Sequence, residues 1–297
     1  MPNYYPKKPS QEETRKEIET STNRYLLTLR KSATSTMIYM GGVNTWCIEC
    51  QVIHDYPIAN LVKIVYDEKC SLSGKFKRGT DTKGLMALML TYIRSNYPFV
   101  NQITFEDYST RECDDKEQID LACFNYLLKG KTWYMDKMGA TIFTEKDQAD
   151  FNKATENFNK LKRKMSWEDY DSDIHFAHPL LPEEMKTIFH ESNTWQEFFN
   201  NVLQKISKLK ESPYDVRLPK DITKEVVDLS DMCRYMNPWI KNFVKKHANL
   251  DFTSIKFVMP IPNPMLPEVI YTLKPFIRNG GKYTRKYRKR RYAVDLR

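Results

Sequence analysis

Apolar residues fall in short strand-like clusters through the first half of the chain and at helical spacing through much of the second. NRYLLTLRKS (Asn23–Ser32) is a short apolar element, strand or helix. TSTMIYMGG and TWCIECQVIHD read as two strands joined at Gly41-Gly42-Val43-Asn44, a hairpin turn. LVKIVY (Leu61–Tyr66) is a third strand, followed by a loop from Ser73 to Gly84. Leu85, Leu88, Met89, Tyr92 and Ile93 then recur at i, i+3, i+4, i+7 and i+8, which predicts an amphipathic helix ending before Pro98. NQITFED is the next strand. The stretch from Ile119 to Leu128 is apolar nearly all round and predicts a buried helix. TWYMDKM adds a short turn that Gly139 terminates, and TIF begins another strand.

From Thr144 the pattern changes. EKDQADFNKATENFNKLKRKM is a polar helix with a thin seam at Phe151, Ala154, Phe158 and Leu161. SWEDYDSDIHFAHPLLPEE reads as a loop. TWQEFFNNVLQKISKLK is an amphipathic helix with Thr194 as N-cap, Glu197 three residues on, and Phe198, Phe199, Val202 and Ile206 on one face. ITKEVVDLSDMCRYM is a further helix, ended or kinked near Pro238. SIKFVM is a strand, and PIPNPMLPEV an extended linker. These elements predict a polar arm (1–20), an α/β domain with a mixed sheet and flanking helices (21–145), and a mainly helical region (146–260). A last strand at 254–259 returns to the sheet, which makes the helices an insertion, and 261–297 is a proline-rich linker with a basic tail.

Hydrophobic residues are 41% and charged residues 29% of the 297, enough apolar material for a packed core. The net charge of +9 is concentrated: Arg278–Arg297 carries nine Lys/Arg and one Asp, leaving +1 for the rest of the chain. Six cysteines in so long a chain do not read as a disulfide framework. No leader-like apolar segment and no run of about 18 apolar residues is present. The expectation is an intracellular, reduced, soluble protein, not secreted.

Glycines before a helix offer backbone N–H groups to phosphate. Lys77, Arg78, Gly79, Thr80, Asp81, Thr82, Lys83 and Gly84 are therefore the candidate anion-binding residues, with Asp81 the one group that opposes an anion. Trp46-Cys47-Ile48-Glu49-Cys50 has redox spacing, but its β-branched and aromatic surroundings favour a strand over the helix start that a reactive thiolate needs. His175-x-x-His178 beside Asp171 and Asp173 reads as a solvated acidic loop, so no metal is predicted. In the tail, Lys282, Arg285, Lys286, Arg288, Lys289, Arg290 and Arg291 are interleaved with Tyr283 and Tyr287, a composition that attracts nucleic acid or another polyanion.

The order strand, glycine loop, helix, strand, helix, YMDKMGA, strand over 61–143 resembles the second half of the GNAT acyltransferase superfamily, and the strands at 35–55 fit that family's antiparallel meander. GKTWYMDKMGA and GGKYTRKYRKRR are also similar to uncharacterised proteins of large nucleocytoplasmic DNA viruses. The resemblance implies a mixed, mostly antiparallel GNAT-like sheet, acetyl-CoA bound by its pyrophosphate at the loop, and acyl transfer to an amine. It also implies Glu106 or Asp107 as proton acceptor, Tyr134 as acid for the departing thiolate, and a viral, virion-associated setting. Against the family's loop pattern, Gly79 matches, whereas Phe76 and Asp81 stand where Gln/Arg and a small residue are usual. Tyr134 lies one residue too far from Gly139, and Met135 takes the matching place.

Overall fold

In the computed structural model the described residues are 12–77, 79–112, 118–174, 178–211, 233 and 235–276. The chain is an α/β protein built on a large, mostly antiparallel sheet. Five strands come first: β1 (Glu12–Glu19), β2 (Arg24–Lys31), β3 (Ser35–Gly41), β4 (Trp46–Ile53) and β5 (Ile58–Ile64). After α1 (Thr80–Asn96) come β6 (Gln102–Glu106) and a small hairpin, β7 (Thr110–Glu112) and β8 (Gln118–Asp120). Then follow α2 (Leu121–Lys129), α3 (Trp133–Met138) and β9 (Thr141–Ile142). Among the described residues, the helices α4 (Glu145–Lys162), α5 (Trp167–Ile174), α6 (Pro182–Glu191), α7 (Trp195–Glu211) and α8 (Ile240–Ala248) precede β10 (Lys256–Pro260) and β11 (Thr272–Pro275). The strand order in the main sheet is β11-β1-β2-β3-β4-β5-β6-β10-β9. Among the described residues β5 and β6 form its one parallel pair, as expected where a helical crossover joins neighbouring strands.

The meander β2–β5 forms where apolar clusters alternate with turns. Gly41 is held at its end because a side chain there would collide with the Thr45 carbonyl at 2.2 Å. α1 is capped without a side-chain hydrogen bond and is buried on all sides from Leu85 to Ile93, not on one face. The segment after β10 covers its second face: the Val269 amide donates to Thr91 Oγ1 at 3.1 Å, and Tyr271 packs on Tyr92 at 6.0 Å. α3 ends at Gly139, whose φ of 62° is the left-handed cap that favours glycine and where a Cβ would displace the Met265 side chain.

β10 pairs with both β6 and β9, so residues 144–255 are an insertion between adjacent strands, as the SIKFVM pattern predicted. The insertion covers the outer face of α2. Tyr126 meets Phe151, Phe158 and Phe252 at ring distances of 5.8, 5.7 and 5.4 Å, and Asn200 Nδ2 donates to the Leu128 carbonyl at 2.7 Å.

Four expectations are corrected. Residues 12–19 of the arm are a strand, paired with β2 along its whole length. Thr272–Pro275 of the linker is an edge strand on β1. The acidic loop contains α5, whose Trp167, Tyr170 and Ile174 are buried. The cysteines are not all reduced: Cys47 is bonded to Cys70 and Cys233 is also disulfide-bonded, whereas Cys50 and Cys123 are free and buried. The basic tail, residues 222–232 and 234 of the helix expected over 222–236, and residues 1–11 of the arm lie outside the described residues. Among the described residues no helix is long and apolar enough to cross a membrane.

Candidate functional site

The carboxyl ends of the parallel pair define the candidate site. β5 and β6 are in register only over Ile58–Gln102, Ala59–Ile103 and Asn60–Thr104, yet β5 continues to Ile64 and β6 to Glu106. The two strands part after Asn60 and Thr104, where Thr104 Oγ1 donates to Asn60 Oδ1 at 2.7 Å. On its other side β5 carries a bulge. Cys50 faces Leu61 and Glu49 faces Lys63, so Val62 has no partner residue in β4. Val62 is 55% exposed, and Tyr66 and Tyr108 are exposed beyond the same strand ends. Ligand crevices in open α/β sheets form at such ends, where neighbouring strands stop sharing hydrogen bonds.

The loop from β5 to α1 is strapped to the sheet before it reaches the candidate anion residues. The Cys47–Cys70 disulfide ties it to β4. The Leu72 amide donates to the Arg24 carbonyl at 2.7 Å and that of Phe76 to the Glu68 carbonyl at 3.1 Å, and the Phe76 ring is buried against Tyr25 and Tyr66. Gly79 then opens α1 with φ 81°, a value suited to glycine, and a Cβ built there meets nothing within 4 Å. Gly84 faces open space too. The Gly79 and Thr80 amides have no partner among the described residues. Asp81 turns inward: its carboxylate accepts the Lys77 amide at 2.6 Å, and its own amide donates to the Lys77 carbonyl at 3.1 Å. Asp81 thereby removes one amide from any anion while leaving the helix start uncovered. Lys77 is exposed and Lys83 half-buried on either side of Gly79, with Thr82 between Asp81 and Lys83. Arg78 lies outside the described residues.

Asp107 and Tyr134 are neighbours beyond the end of β6, whereas Glu106 stands exposed with Tyr108 and is not brought to Tyr134. Glu106 is exposed and its carboxylate accepts the Tyr108 hydroxyl. Asp107 is 1% exposed. Its Oδ1 accepts the Ser109 amide at 3.0 Å and the Ser109 hydroxyl, while its Oδ2 is buried without a partner among the described residues. Burial pushes its carboxyl above the usual range; the Ser109 hydrogen bonds oppose this and nearby Asp120 adds to it. Tyr134 is buried with its ring 4.7 Å from that of Phe105. Burial, and then the Asp107 charge, push its phenol far above the ordinary value. Ser109 and Asp120 could not be singled out from the sequence. They reach Asp107 through the β7–β8 hairpin, where the Leu121 amide donates to the Ser109 carbonyl at 2.9 Å and Asp120 caps α2.

The remaining constellations resolve into pairs. Cys47 is bonded to Cys70 and not to Cys50, because both stand on strand β4 and the pairing with β3 steps over Cys47 as a bulge. His178 Nε2 contacts Asp171 Oδ1 at 2.7 Å, and Asp173 takes Lys246 and His247, each at 2.6 Å. Among the described residues no three His, Cys, Asp or Glu side chains stand close enough to hold a metal ion; His175 lies outside them. A shallow groove of about 340 Å³ between α6 and α7, lined by Glu184, Glu191, Lys205 and Lys208 among others, contains none of the candidate residues. The seven basic tail residues from Lys282 to Arg291 lie outside the described residues. No known family, no curated protein and no solved structure matches the chain.

Proposed function

We infer that the protein is an N-acyltransferase of GNAT type, taking an acyl group from a coenzyme A thioester to an amine. The observation that carries this reading is the parting of the parallel strands β5 and β6 beyond Asn60 and Thr104, with the bulged Val62 on one lip. Supporting it is the strand order β2-β3-β4-β5-β6-β10-β9, with α1 as the crossover between the two parting strands. In this reading a diphosphate sits at the open start of α1, with Gly79 and Thr80, while Lys77 and Lys83 supply charge. Acetyl-CoA would contribute the activated thioester carbonyl. The main chain at Val62, free of the β4 ladder, polarises that carbonyl. As the amine nitrogen bonds to the carbonyl carbon, the carbon–sulfur bond breaks. The amine proton passes to Glu106, the carboxylate that solvent reaches, or through water to Asp107. Tyr134, the neighbour of Asp107, is the proposed proton donor to the thiolate.

Thermal unfolding with acetyl-CoA tests the reading. A ligand at 100 times its Kd stabilises by about 2.7 kcal/mol, so a clear rise in Tm is expected with acetyl-CoA and none with pantetheine, which lacks the diphosphate. No rise at millimolar acetyl-CoA overturns it. A polyanion-binding scaffold is then what remains, favoured by the charge of +8 over Arg278–Arg297. That reading requires nucleic-acid binding that weakens steeply with salt and vanishes on tail removal.

A further inference from the structure

Outside the candidate site, the corner between α2 and α3 gathers more positive charge than it balances. Lys129 of α2, Lys131 of the turn and Lys137 of α3 all meet Asp136. Lys129 and Lys137 lie 2.9 and 3.1 Å from its Oδ2, and Lys131 lies 3.2 Å from its Oδ1. Among the described residues no other carboxylate takes three cations; Glu13 and Asp173 take two each. Capping residues fix the turn that brings the lysines together. Gly130 ends α2 in the left-handed region at φ 69°, and Thr132 Oγ1 accepts the Met135 amide at 3.4 Å to start α3. The Asp136 side chain is 16% accessible, against 39, 47 and 50% for the three lysines. The Lys129 hydrogen bond, before all else, holds its carboxyl far below the usual range. Asp136 therefore stays ionised and offsets one of the three positive charges.

Each ammonium carries three N–H donors and turns one of them to Asp136, so donors remain on all three for a ligand. An anion that met the lysines from the solvent side would supply the negative charge that the cluster lacks. The neighbouring side chain narrows the class of anion. Trp133 stands three residues before Asp136 and four before Lys137, so the three share one side of α3. Its indole is half-buried and lies edge-to-face against Tyr134 at a ring distance of 5.2 Å. A part-exposed indole beside unbalanced ammoniums offers a stacking face next to a phosphate contact, the combination that holds single strands. An acidic peptide satisfies the lysines and makes no use of the indole; a nucleotide uses both.

We propose that this corner is a contact site for single-stranded nucleic acid, in which Lys129, Lys131 and Lys137 take a backbone phosphate and Trp133 stacks on the adjoining base. The charge of +8 over Arg278–Arg297 supplies the general attraction to a polyanion, and the corner grips one nucleotide of the strand. The test is photo-crosslinking of the full chain to a single-stranded oligonucleotide carrying bromodeoxyuridine, with adducts located by mass spectrometry. An adduct on the peptide that bears Trp133 is expected. It is expected to disappear in the triple Lys129→Gln, Lys131→Gln, Lys137→Gln variant while adducts on the tail persist. Adducts confined to the tail, or a Trp133 adduct that survives the triple substitution, would overturn the site. Salt titration of binding is a second measure. The slope of log affinity against log salt is expected to fall by about 0.7 for each phosphate contact the variant loses, and an unchanged slope refutes the proposal. So does loss of the Trp133 adduct to polyglutamate as readily as to unlabelled oligonucleotide, which would mark a site for any anion.

Discussion

Lys162 is the side chain whose burial runs furthest against its chemistry. It is 3% exposed, lies 3.6 Å above the Phe189 ring, and donates to the carbonyls of Phe189 at 2.8 Å and Ser192 at 3.2 Å. Those carbonyls close the end of α6, where a cation suits the helix dipole. Among the described residues no carboxylate pairs with the ammonium, and burial lowers its pKa to about 8, with distant Glu197 opposing. The unfolded chain keeps the proton up to the ordinary lysine range near 10.5. The charge therefore weakens the fold below about pH 8, and that cost is relieved as pH rises from about 8 to 10.5. Urea unfolding should show the wild type gaining on Lys162→Met across that window; a constant gap would contradict the assignment. Asp107 offers the mirror case. Its raised carboxyl means that stability is fully present at low pH and is lost as pH rises through the folded pKa. Asp107→Asn keeps the acceptor for Ser109 and removes a buried charge with an orphan oxygen, so it should stabilise the protein by about 1 kcal/mol at pH 7.5. Loss of acyl transfer by this better-folded variant would mark Asp107 as functional, since a structural residue would not trade stability for activity in that way.

Among the elements, α7 was the most legible. Thr194 Oγ1 accepts the Glu197 amide at 3.1 Å, and Glu197 Oε2 accepts the amides of Asn193 at 2.6 Å and Thr194 at 3.2 Å, a reciprocal cap visible in the spacing alone. Thr194→Ala should cost about 1 kcal/mol in denaturant unfolding; no change would mean that the helix start is held by packing instead. The meander and the α1 crossover were legible for the same reason, since their apolar positions repeat at the period of the element. β1 was not, because EETRKEIE buries only Ile18 and is recruited through its backbone by β2 and β11. α5 was hidden for a different reason. Its Trp167, Tyr170 and Ile174 have helical spacing, but acidic residues separate them and α6 is needed to bury them. The parting of β5 from β6, on which the proposed function rests, leaves no mark on periodicity at all. Register is a property of two strands, and a bulge at Val62 reads along the chain like any other residue.

At the scale of the whole molecule, one tie strengthens the sheet half and another joins the insertion to it. The Cys47–Cys70 bond closes a loop with a sequence separation of 23, for which chain entropy gives about 3 kcal/mol. The double Cys47→Ala, Cys70→Ala variant should fall in stability by that order, and amide exchange should quicken over 68–77, the stem of the candidate anion loop. The second tie is the insertion itself. Its ends leave β9 and enter β10 side by side, with the Phe143 amide donating to the Lys256 carbonyl at 2.8 Å, so a two-residue hairpin turn could replace residues 145–254 without straining the sheet. Connectivity thus permits removal, but packing opposes it. α2 is apolar nearly all round because the sheet side takes one face and Phe151, Phe158, Asn200 and Phe252 take the other. Without the insertion, Tyr126 and its neighbours become an exposed apolar strip, at about 25 cal/mol for each Å² returned to water. The deletion protein is expected to aggregate or unfold without a cooperative transition. Adding back residues 145–254 as a separate chain should not rescue it, because α4 and α8 would have to find α2 without the tether that β9 and β10 supply. A deletion protein that melts cooperatively would instead make the sheet an independent domain, with the helices a later addition that stabilises nothing beneath them.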